Sequence, residues 1–149
     1  MRQKILITGA SGGFGFLTCQ SLIKKGHQVV GTMRSTTGKN EEVANQLKSI
    51  GVHLIEMDVI NKKSVNNGVQ KAIETLDGLD VLINNAGLGV MGMQEHFTPE
   101  DMQKIFDVNV FGVQRLMRAV LPHFRSQGKG TVLYTSSLLG RMTCLLYTS

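Results

Sequence analysis

Short apolar runs alternate along the chain with longer stretches in which apolar residues recur at helical spacing. The short runs predict five strands, at about residues 5–7, 29–30, 53–57, 80–83 and 131–135. The longer stretches predict four helices, at about residues 14–25, 41–50, 62–76 and 99–125. Because strands and helices alternate throughout, we expect an α/β fold with a doubly wound parallel sheet and helices on both faces.

Length and composition restrict this picture to a single domain. The chain has 149 residues, of which 42% are hydrophobic and 18% are charged. No apolar run approaches the roughly 18 residues that a membrane-spanning helix requires, so we expect no membrane partner and a cytoplasmic location. Lysines and arginines give a formal net charge of +5, but they are scattered singly or in pairs, which argues against a nucleic-acid partner.

The cysteines and histidines follow no pattern typical of a disulfide framework or a metal site. Cys19 and Cys144 lie far apart and have no C-x-x-C spacing. The histidines share no ligand spacing and are expected at the surface or in loops; they are His27, His53, His96 and His123. We therefore expect no metal.

A glycine-rich turn follows the first predicted strand and opens directly onto a helix. Its sequence is Thr8-Gly9-Ala10-Ser11-Gly12-Gly13-Phe14-Gly15. The unpaired N–H groups and the dipole of a helix N-terminus suit a pyrophosphate. Gly9 would permit the tight turn, and Gly13 would let the backbone approach a phosphate. The string also fits an ordinary β–α turn, but its place between strand and helix favours a dinucleotide site.

The second predicted strand ends near Met33 and Arg34, where a dinucleotide fold recognises the adenosine ribose. An acidic residue at this place would bind the 2′-hydroxyl, whereas a guanidinium would donate two hydrogen bonds to a 2′-phosphate. Arg34 therefore favours NADP(H) over NAD(H). The alternative is a solvated surface arginine.

The other strands also end in small or polar residues, at Asp58-Val59, Asn84-Asn85-Ala86-Gly87 and Ser136-Ser137. The motifs T-G-x-x-x-G-x-G, N-N-A-G, an asparagine in the following helix and S-S before a glycine occur in this order. In this combination the chain resembles the short-chain dehydrogenase/reductase family over nearly its whole length. The resemblance implies a Rossmann-type fold and hydride transfer between a nicotinamide and a small-molecule carbonyl or alcohol.

Family roles carry over to matching positions. The resemblance places Gly9, Ser11, Gly13, Phe14 and Gly15 around the cofactor phosphates, Arg34 at the 2′-phosphate, Asp58 and Val59 at the adenine, Asn85, Ala86 and Gly87 beside the adenosine ribose, and Asn109 and Ser137 at catalytic positions. Asn109 would order a water of the proton relay, or else be a capped or solvent-facing asparagine. Many NADP-dependent relatives carry a basic residue where this chain has Gly12.

The chain departs from the family pattern near its end. The family uses a Tyr-x-x-x-Lys pair for proton transfer, with the tyrosine about thirteen residues after the serine. Here Tyr147 stands ten residues after Ser137, and no such lysine follows it. Residues 144–149 resemble a translated sequencing-library adapter, so we expect an incomplete domain over residues 1–143, truncated after about the fifth strand, and a non-native tail. This fragment is then expected to be inactive.

Two further expectations concern function and assembly. The alternative to an NADP(H)-dependent oxidoreductase is a dinucleotide-binding sensor without chemistry, whereas a P-loop or flavin module lacks support because no G-K-[S/T] follows the glycines. The helix at 99–125 carries a broad apolar surface, which predicts contact with a partner subunit as well as with the sheet. Because relatives commonly pair through this helix, the resemblance implies that the parent protein is a homodimer or homotetramer.

Overall fold

The computed structural model describes residues 1–90 and 92–137. Its strands are β1 (Lys4–Thr8), β2 (Gln28–Met33), β3 (His53–Glu56), β4 (Val81–Asn84) and β5 (Thr131–Tyr134). Its α-helices are α1 (Gly13–Lys24), α2 (Glu41–Ser49), α3 (Lys62–Leu76), α4 (Pro99–Phe106) and α5 (Val113–Ser126). Short 3₁₀ turns cover Gly38–Asn40 and Gln94–His96.

The five strands form one parallel sheet in the order β3-β2-β1-β4-β5. The central strand β1 pairs with β2 on one side and with β4 on the other, so the strand order reverses direction beside β1. In doubly wound sheets a ligand crevice opens at this point, outside the carboxyl ends of the strands. The expected α/β fold of Rossmann type is confirmed, and the described part of the sheet ends with the fifth strand.

Alternate strand residues feed two hydrophobic clusters, one on each face of the sheet. On one face Leu6, Val30 and Leu82 pack against α3 and α5. On the other face Ile7 and Val29 pack against α1 and α2, together with buried residues such as Cys19, Ala44 and Leu47. Because both faces are covered, the strands carry nearly continuous apolar sequence, as parallel strands generally do.

The start of α4 follows its sequence signal closely. The Thr98 side chain accepts the N–H of Asp101 at 3.2 Å, and the Asp101 carboxylate accepts the N–H of Thr98 at 3.3 Å. This reciprocal pair is a capping box, and Pro99 occupies the first helical position, where no N–H is required.

The region expected to be one long helix is interrupted by a π-helical segment, Asp107–Gly112. The Arg115 guanidinium forms a 2.6 Å ion pair with Asp107 and also donates to the Asp107 carbonyl oxygen at 3.2 Å. A Cβ at Gly112 would come within 3.1 Å of Val59 and 3.2 Å of the same carbonyl oxygen, so a larger residue there would force its neighbours to shift slightly. The wider turn therefore coincides with an ion pair to α5 and with close packing against Val59.

Two histidines have a structural role that their sequence positions did not indicate. His123 lies on α5, half-buried, and its Nε2 accepts the backbone N–H of Leu79 at 3.2 Å. Nδ1 of His27 accepts the N–H of Gln3 at 3.1 Å. The expectation of a plain surface or loop position is therefore wrong for His123, which joins α5 to the loop before β4.

No helix within the described ranges is long and apolar enough to cross a membrane.

Candidate functional site

A cleft of about 370 Å³ opens at the carboxyl ends of β1, β2 and β4, where the strand order reverses. Every residue that the sequence assigned to cofactor binding lines it: Gly9, Ser11, Gly13, Phe14, Gly15, Arg34, Asp58, Val59, Asn85, Ala86 and Gly87. The lining also includes residues that sequence reasoning missed: Gly12, Thr32, Met33, Met57, Ile60, Leu88 and Val108. Most of these are immediate chain neighbours of a predicted residue, so their position next to a motif is the sequence signal that could have identified them.

The glycines of the turn after β1 differ in what surrounds them. Gly9 has a φ of +70°, and a Cβ there would lie 2.8 Å from the Cα of Ala86. A Cβ at Gly15 would overlap the carbonyl oxygen of Gly9 and come within 2.8 Å of the Asn85 amide nitrogen. At Gly13 no described atom beyond its chain neighbours and its own helical turn lies within 4 Å of the Cβ position. Two glycines are thus required by packing, whereas the third leaves space toward the cleft.

The N-terminus of α1 borders this space, and within the described ranges no N-cap side chain bonds to it. The N-cap is Gly12, which provides no side-chain hydrogen bond, and the first turn of α1 contains no acidic residue. The first N–H groups of a helix have no partner within the helix, and together with the helix dipole they attract an anion. A diphosphate therefore fits the position and the electrostatics of this end of the cleft.

A network of hydrogen bonds fixes the N-N-A-G loop against the glycine-rich turn. The Thr8 hydroxyl, which is fully buried, accepts the N–H groups of Asn85 at 3.0 Å and Ala86 at 2.9 Å. The Asn85 side-chain amide donates to the carbonyl oxygens of Thr8 at 2.9 Å and Gly9 at 3.3 Å. The two segments that form the centre of the cleft therefore hold each other in place.

The segment that carries Ser137 joins the same network. The Thr135 hydroxyl donates to Oδ1 of Asn85 at 3.3 Å, and the Thr135 N–H donates to the Asn84 carbonyl oxygen at 2.9 Å. Ser137 lies two residues further along and is exposed. Since Asn85 also contacts Gly9, the ends of β1, β4 and β5 meet at one edge of the sheet. Ser137 follows the end of β5 and is not among the residues that line the cleft.

Asn109 lies in the π-helical segment and does not line the cleft. Its Oδ1 accepts the N–H of Leu88 at 2.8 Å, and its Nδ2 donates to the Leu88 carbonyl oxygen at 2.8 Å. Both ends of the amide therefore hold the loop that follows N-N-A-G. Asn109 is exposed, and through this paired contact its side chain supports the loop that forms part of the cleft wall.

The end of the cleft at which the sequence predicts the adenosine is formed by the loops after β2 and β3. Arg34 is exposed at this end. The Asp58 N–H donates to the Ser64 hydroxyl at 3.0 Å, and Oδ1 of Asp58 accepts the N–H of Ile60 at 3.2 Å. These bonds fix the orientation of the Asp58 carboxylate at the cleft wall.

Two remaining sequence-based expectations concern metals and the chain end. Among the described residues, no group of three or more His, Cys, Asp or Glu side chains is placed to hold a metal ion. Tyr147, Cys144 and the whole segment 144–149 lie outside the described residues, as does the segment from 138 to 143.

Curated proteins with similar sequences are reductases and dehydrogenases. The chain is 40% identical over 141 residues to a 3-ketodihydrosphingosine reductase from Bacteroides thetaiotaomicron, covering 94% of this chain and 49% of the relative. It is 35% identical over 144 residues to human retinol dehydrogenase 8, covering 93% of this chain and 45% of the relative. The chain thus spans about half the length of the curated relatives it matches.

Solved structures show the same architecture. A short-chain dehydrogenase from Streptomyces avermitilis superimposes with a TM-score of 0.86 at 32% identity, over 96% of this chain and 52% of that one. ElxO with NADP bound gives a TM-score of 0.85 at 27% identity, over 99% and 61%. The NADH-dependent reductase A1-R′ complexed with NAD gives 0.79 at 26% identity, over 94% and 61%.

The model of one protein family, short chain dehydrogenase, matches residues 3–149. Together with the relatives and the fold, this match shows that the chain belongs to the short chain dehydrogenase family of oxidoreductase enzymes.

Proposed function

We propose that this chain is part of an NADP(H)-dependent oxidoreductase that transfers a hydride between a nicotinamide and the carbonyl or alcohol group of a small molecule. The observation that carries the proposal is the cleft at the carboxyl edge of the sheet, where no described side chain caps the N-terminus of α1 and where Asn85 of the lining bonds to Thr135, two residues before Ser137. We propose that this N-terminus holds the anionic part of the cofactor and that the Ser137 hydroxyl polarises a substrate carbonyl.

The residues of the cleft divide the dinucleotide between them. The N–H groups at the start of α1, next to Gly13, would hold the diphosphate. Asp58 and Val59 would border the adenine, and the N-N-A-G loop would border the adenosine ribose. Two of the three solved structures described above, ElxO and the reductase A1-R′, bind NADP and NAD, respectively, which supports a nicotinamide dinucleotide in this cleft.

The nicotinamide, when bound, supplies or accepts the hydride. In the proposed reduction, the Ser137 hydroxyl donates a hydrogen bond to the substrate carbonyl oxygen and stabilises its growing negative charge. Asn109 keeps the cleft wall in place through Leu88. Proton transfer to the alkoxide requires a further group, and no tyrosine in the sequence is followed by a lysine four residues later. We therefore propose that the 149-residue chain binds the cofactor but does not turn over substrate.

The preference for NADP(H) rests on Arg34. Its place at the proposed adenosine end of the cleft suits a guanidinium that donates hydrogen bonds to the 2′-phosphate. In a protein extended to include a Tyr-x-x-x-Lys pair, Arg34→Ala should weaken NADPH binding about tenfold more than NADH binding, because the substitution removes a charged hydrogen-bonded contact. An unchanged NADPH-to-NADH ratio of kcat/KM would remove Arg34 from the phosphate site.

For the substrate we propose a carbonyl or alcohol on a small or lipid-like molecule. Two relatives are named for ketodihydrosphingosine and retinol, which supports the lipid-like choice. The test is NADPH oxidation by the extended protein with a panel of carbonyl compounds, where Ser137→Ala should lower kcat by about 10²–10³-fold. Cofactor binding without turnover of any carbonyl or alcohol would favour the sensor, and turnover by the 149-residue chain would contradict the requirement for the missing pair.

For assembly we propose that the parent protein forms a homodimer or homotetramer through the region 99–125. Phe106, Val110 and Phe111 are 47%, 48% and 53% exposed on this region, which is a large apolar area for a free surface. Sedimentation of the extended protein measures its mass, and Phe111→Glu should shift it toward the monomer. A wild-type monomer would contradict the proposal.

A further inference from the structure

The loop that carries Arg34 is held by a carboxylate from the neighbouring strand. Oε1 of Glu56, the last residue of β3, accepts the Thr36 N–H at 2.7 Å and the Thr36 hydroxyl at 2.8 Å. The two hydrogen bonds cross from the end of one strand to the loop after another. They fix Thr36, two residues beyond Arg34, relative to the sheet.

The same loop is fixed at its other side and at its base. Nδ2 of Asn40 donates to the Ser35 carbonyl oxygen at 2.9 Å. The Ser35 hydroxyl accepts the N–H of Thr37 at 3.2 Å. At the base, the Met57 N–H donates to the Met33 carbonyl oxygen at 2.9 Å, which extends the pairing of β2 and β3 up to Arg34. Arg34 therefore leaves a backbone that is fixed immediately before it and again two residues after it.

Glu56 carries a negative charge, which bears on how it can affect a ligand of the cleft. The hydrogen bond from the Thr36 backbone, followed by that from the Thr36 hydroxyl, lowers the pKa of Glu56, so the side chain is a carboxylate near neutral pH. Within residues 1–90 and 92–137 the ion pairs do not include Glu56 or Arg34. A carboxylate near an anion site opposes anion binding by its charge, so any favourable contribution of Glu56 to anion binding must come from another effect.

We propose that Glu56 is a positioning residue for cofactor selection: it holds the 34–37 loop so that the Arg34 guanidinium is presented to a 2′-phosphate. The inference rests on the proposed function of the cleft and deepens it. Without Glu56, a ligand that contacts Arg34 through a 2′-phosphate would have to order this loop on binding, which would lower its affinity. A ligand without a 2′-phosphate would not be affected.

Positioning and simple charge predict opposite signs for the same substitution. If Glu56 acted only as a negative charge, Glu56→Ala would leave binding of a 2′-phosphate unchanged or make it tighter. If it positions the loop, Glu56→Ala weakens binding of the 2′-phosphate. Glu56→Gln separates the two effects further, because its amide oxygen can accept both Thr36 hydrogen bonds without the charge.

The experiment is calorimetric titration of the 149-residue chain with adenosine 2′,5′-bisphosphate and, separately, with ADP. Glu56→Ala should raise the dissociation constant of the bisphosphate by about three- to tenfold, the cost of ordering one or two side chains, and leave that of ADP within about twofold. Glu56→Gln should restore bisphosphate binding to within about twofold of wild type. Glu41→Ala, an exposed glutamate on α2 outside the cleft lining, is the matched loss of charge and should change neither constant.

Thr36→Val removes only the hydroxyl bond and should give a smaller increase of the same sign, which provides a second test if Glu56→Ala does not fold. Unchanged or tighter bisphosphate binding by Glu56→Ala would overturn the inference, as would a Gln variant that behaves like the Ala variant. Failure of the wild-type chain to bind either nucleotide would instead overturn the proposed function on which the inference depends. Wild-type binding of both with equal affinity would overturn the inference alone.

Discussion

Two alanine substitutions in the glycine-rich turn should separate the packing role of a glycine from its role in ligand binding. Gly13 and Gly15 both belong to the first turn of α1. A methyl group at Gly13 meets no atom within 4 Å, whereas one at Gly15 overlaps the Gly9 carbonyl oxygen and approaches the Asn85 amide. The same chemical change is thus expected to have opposite effects on stability.

The magnitudes follow from helix propensity and overpacking. Alanine is favoured over glycine in a helix by about 0.5–1 kcal/mol, so Gly13→Ala should raise the free energy of unfolding by up to that amount. At Gly15 the same gain is offset by about 1–3 kcal/mol for a forced backbone shift, because the obstructing atom is a carbonyl oxygen of the turn. Gly15→Ala should therefore destabilise the chain by about 1–2 kcal/mol, which lowers Tm by about 2–8 °C.

Binding should fall in both variants, for different reasons. The methyl group of Gly13→Ala occupies space that a phosphate would need at the helix N-terminus, whereas Gly15→Ala displaces the turn itself. Thermal unfolding by circular dichroism measures stability, and NADPH fluorescence measures binding. If Gly13→Ala folds normally and binds NADPH as tightly as wild type, the start of α1 is not the phosphate site. If Gly15→Ala is as stable as Gly13→Ala, the close approach to Gly9 is wrong.

Three further predictions concern groups away from the cleft. His123→Ala leaves the buried Leu79 N–H without its acceptor and should cost about 1–3 kcal/mol of unfolding free energy, measured by urea denaturation; no loss would contradict the hydrogen bond. The Lys4 N–H lowers the pKa of the Asp80 carboxyl, so the stabilisation that ionised Asp80 gives the fold is complete above about pH 4 and is lost as the pH falls through the lowered pKa. Asp80→Asn should therefore flatten the acid side of a curve of Tm against pH, and an unchanged slope would refute this. Burial raises the pKa of Cys19 to about 12, so iodoacetamide at pH 8 should label this cysteine only after unfolding, as peptide mapping would show; rapid labelling of Cys19 itself in the folded chain would contradict its burial.

The strands, most helices and the cleft lining were predictable because they depend on local signals. Apolar runs and glycines fixed the element order, and Thr98 with Pro99 predicted the start of α4. The cofactor candidates fall together because each follows a strand of a parallel sheet, and such ends meet at one edge. Both inferences need only the sequence and the rule for connecting parallel strands.

The features that the sequence did not predict depend on pairs of residues far apart in the chain. Asn109 contacts Leu88 across 21 positions, and Glu56 contacts Thr36 across 20. His123 contacts Leu79 across 44 positions. Neither helical periodicity nor a short motif encodes such partners, because the choice of partner is made only when the sheet and helices pack. The support of the site was therefore hidden although its lining was not.

The π-helical segment Asp107–Gly112 changes the phase of the helical pattern that runs through it. An α-helix advances about 100° per residue, so an extra residue held in a wider turn rotates everything downstream by about that angle. Phe106 before the segment points to solvent, whereas Leu116 and Val120 after it enter the core. The broad apolar surface predicted from the sequence is thus divided into two narrower faces, one before and one after the segment, that point in different directions. Loss of one residue from the segment would realign the two faces and swing Asn109 away from the loop that it supports.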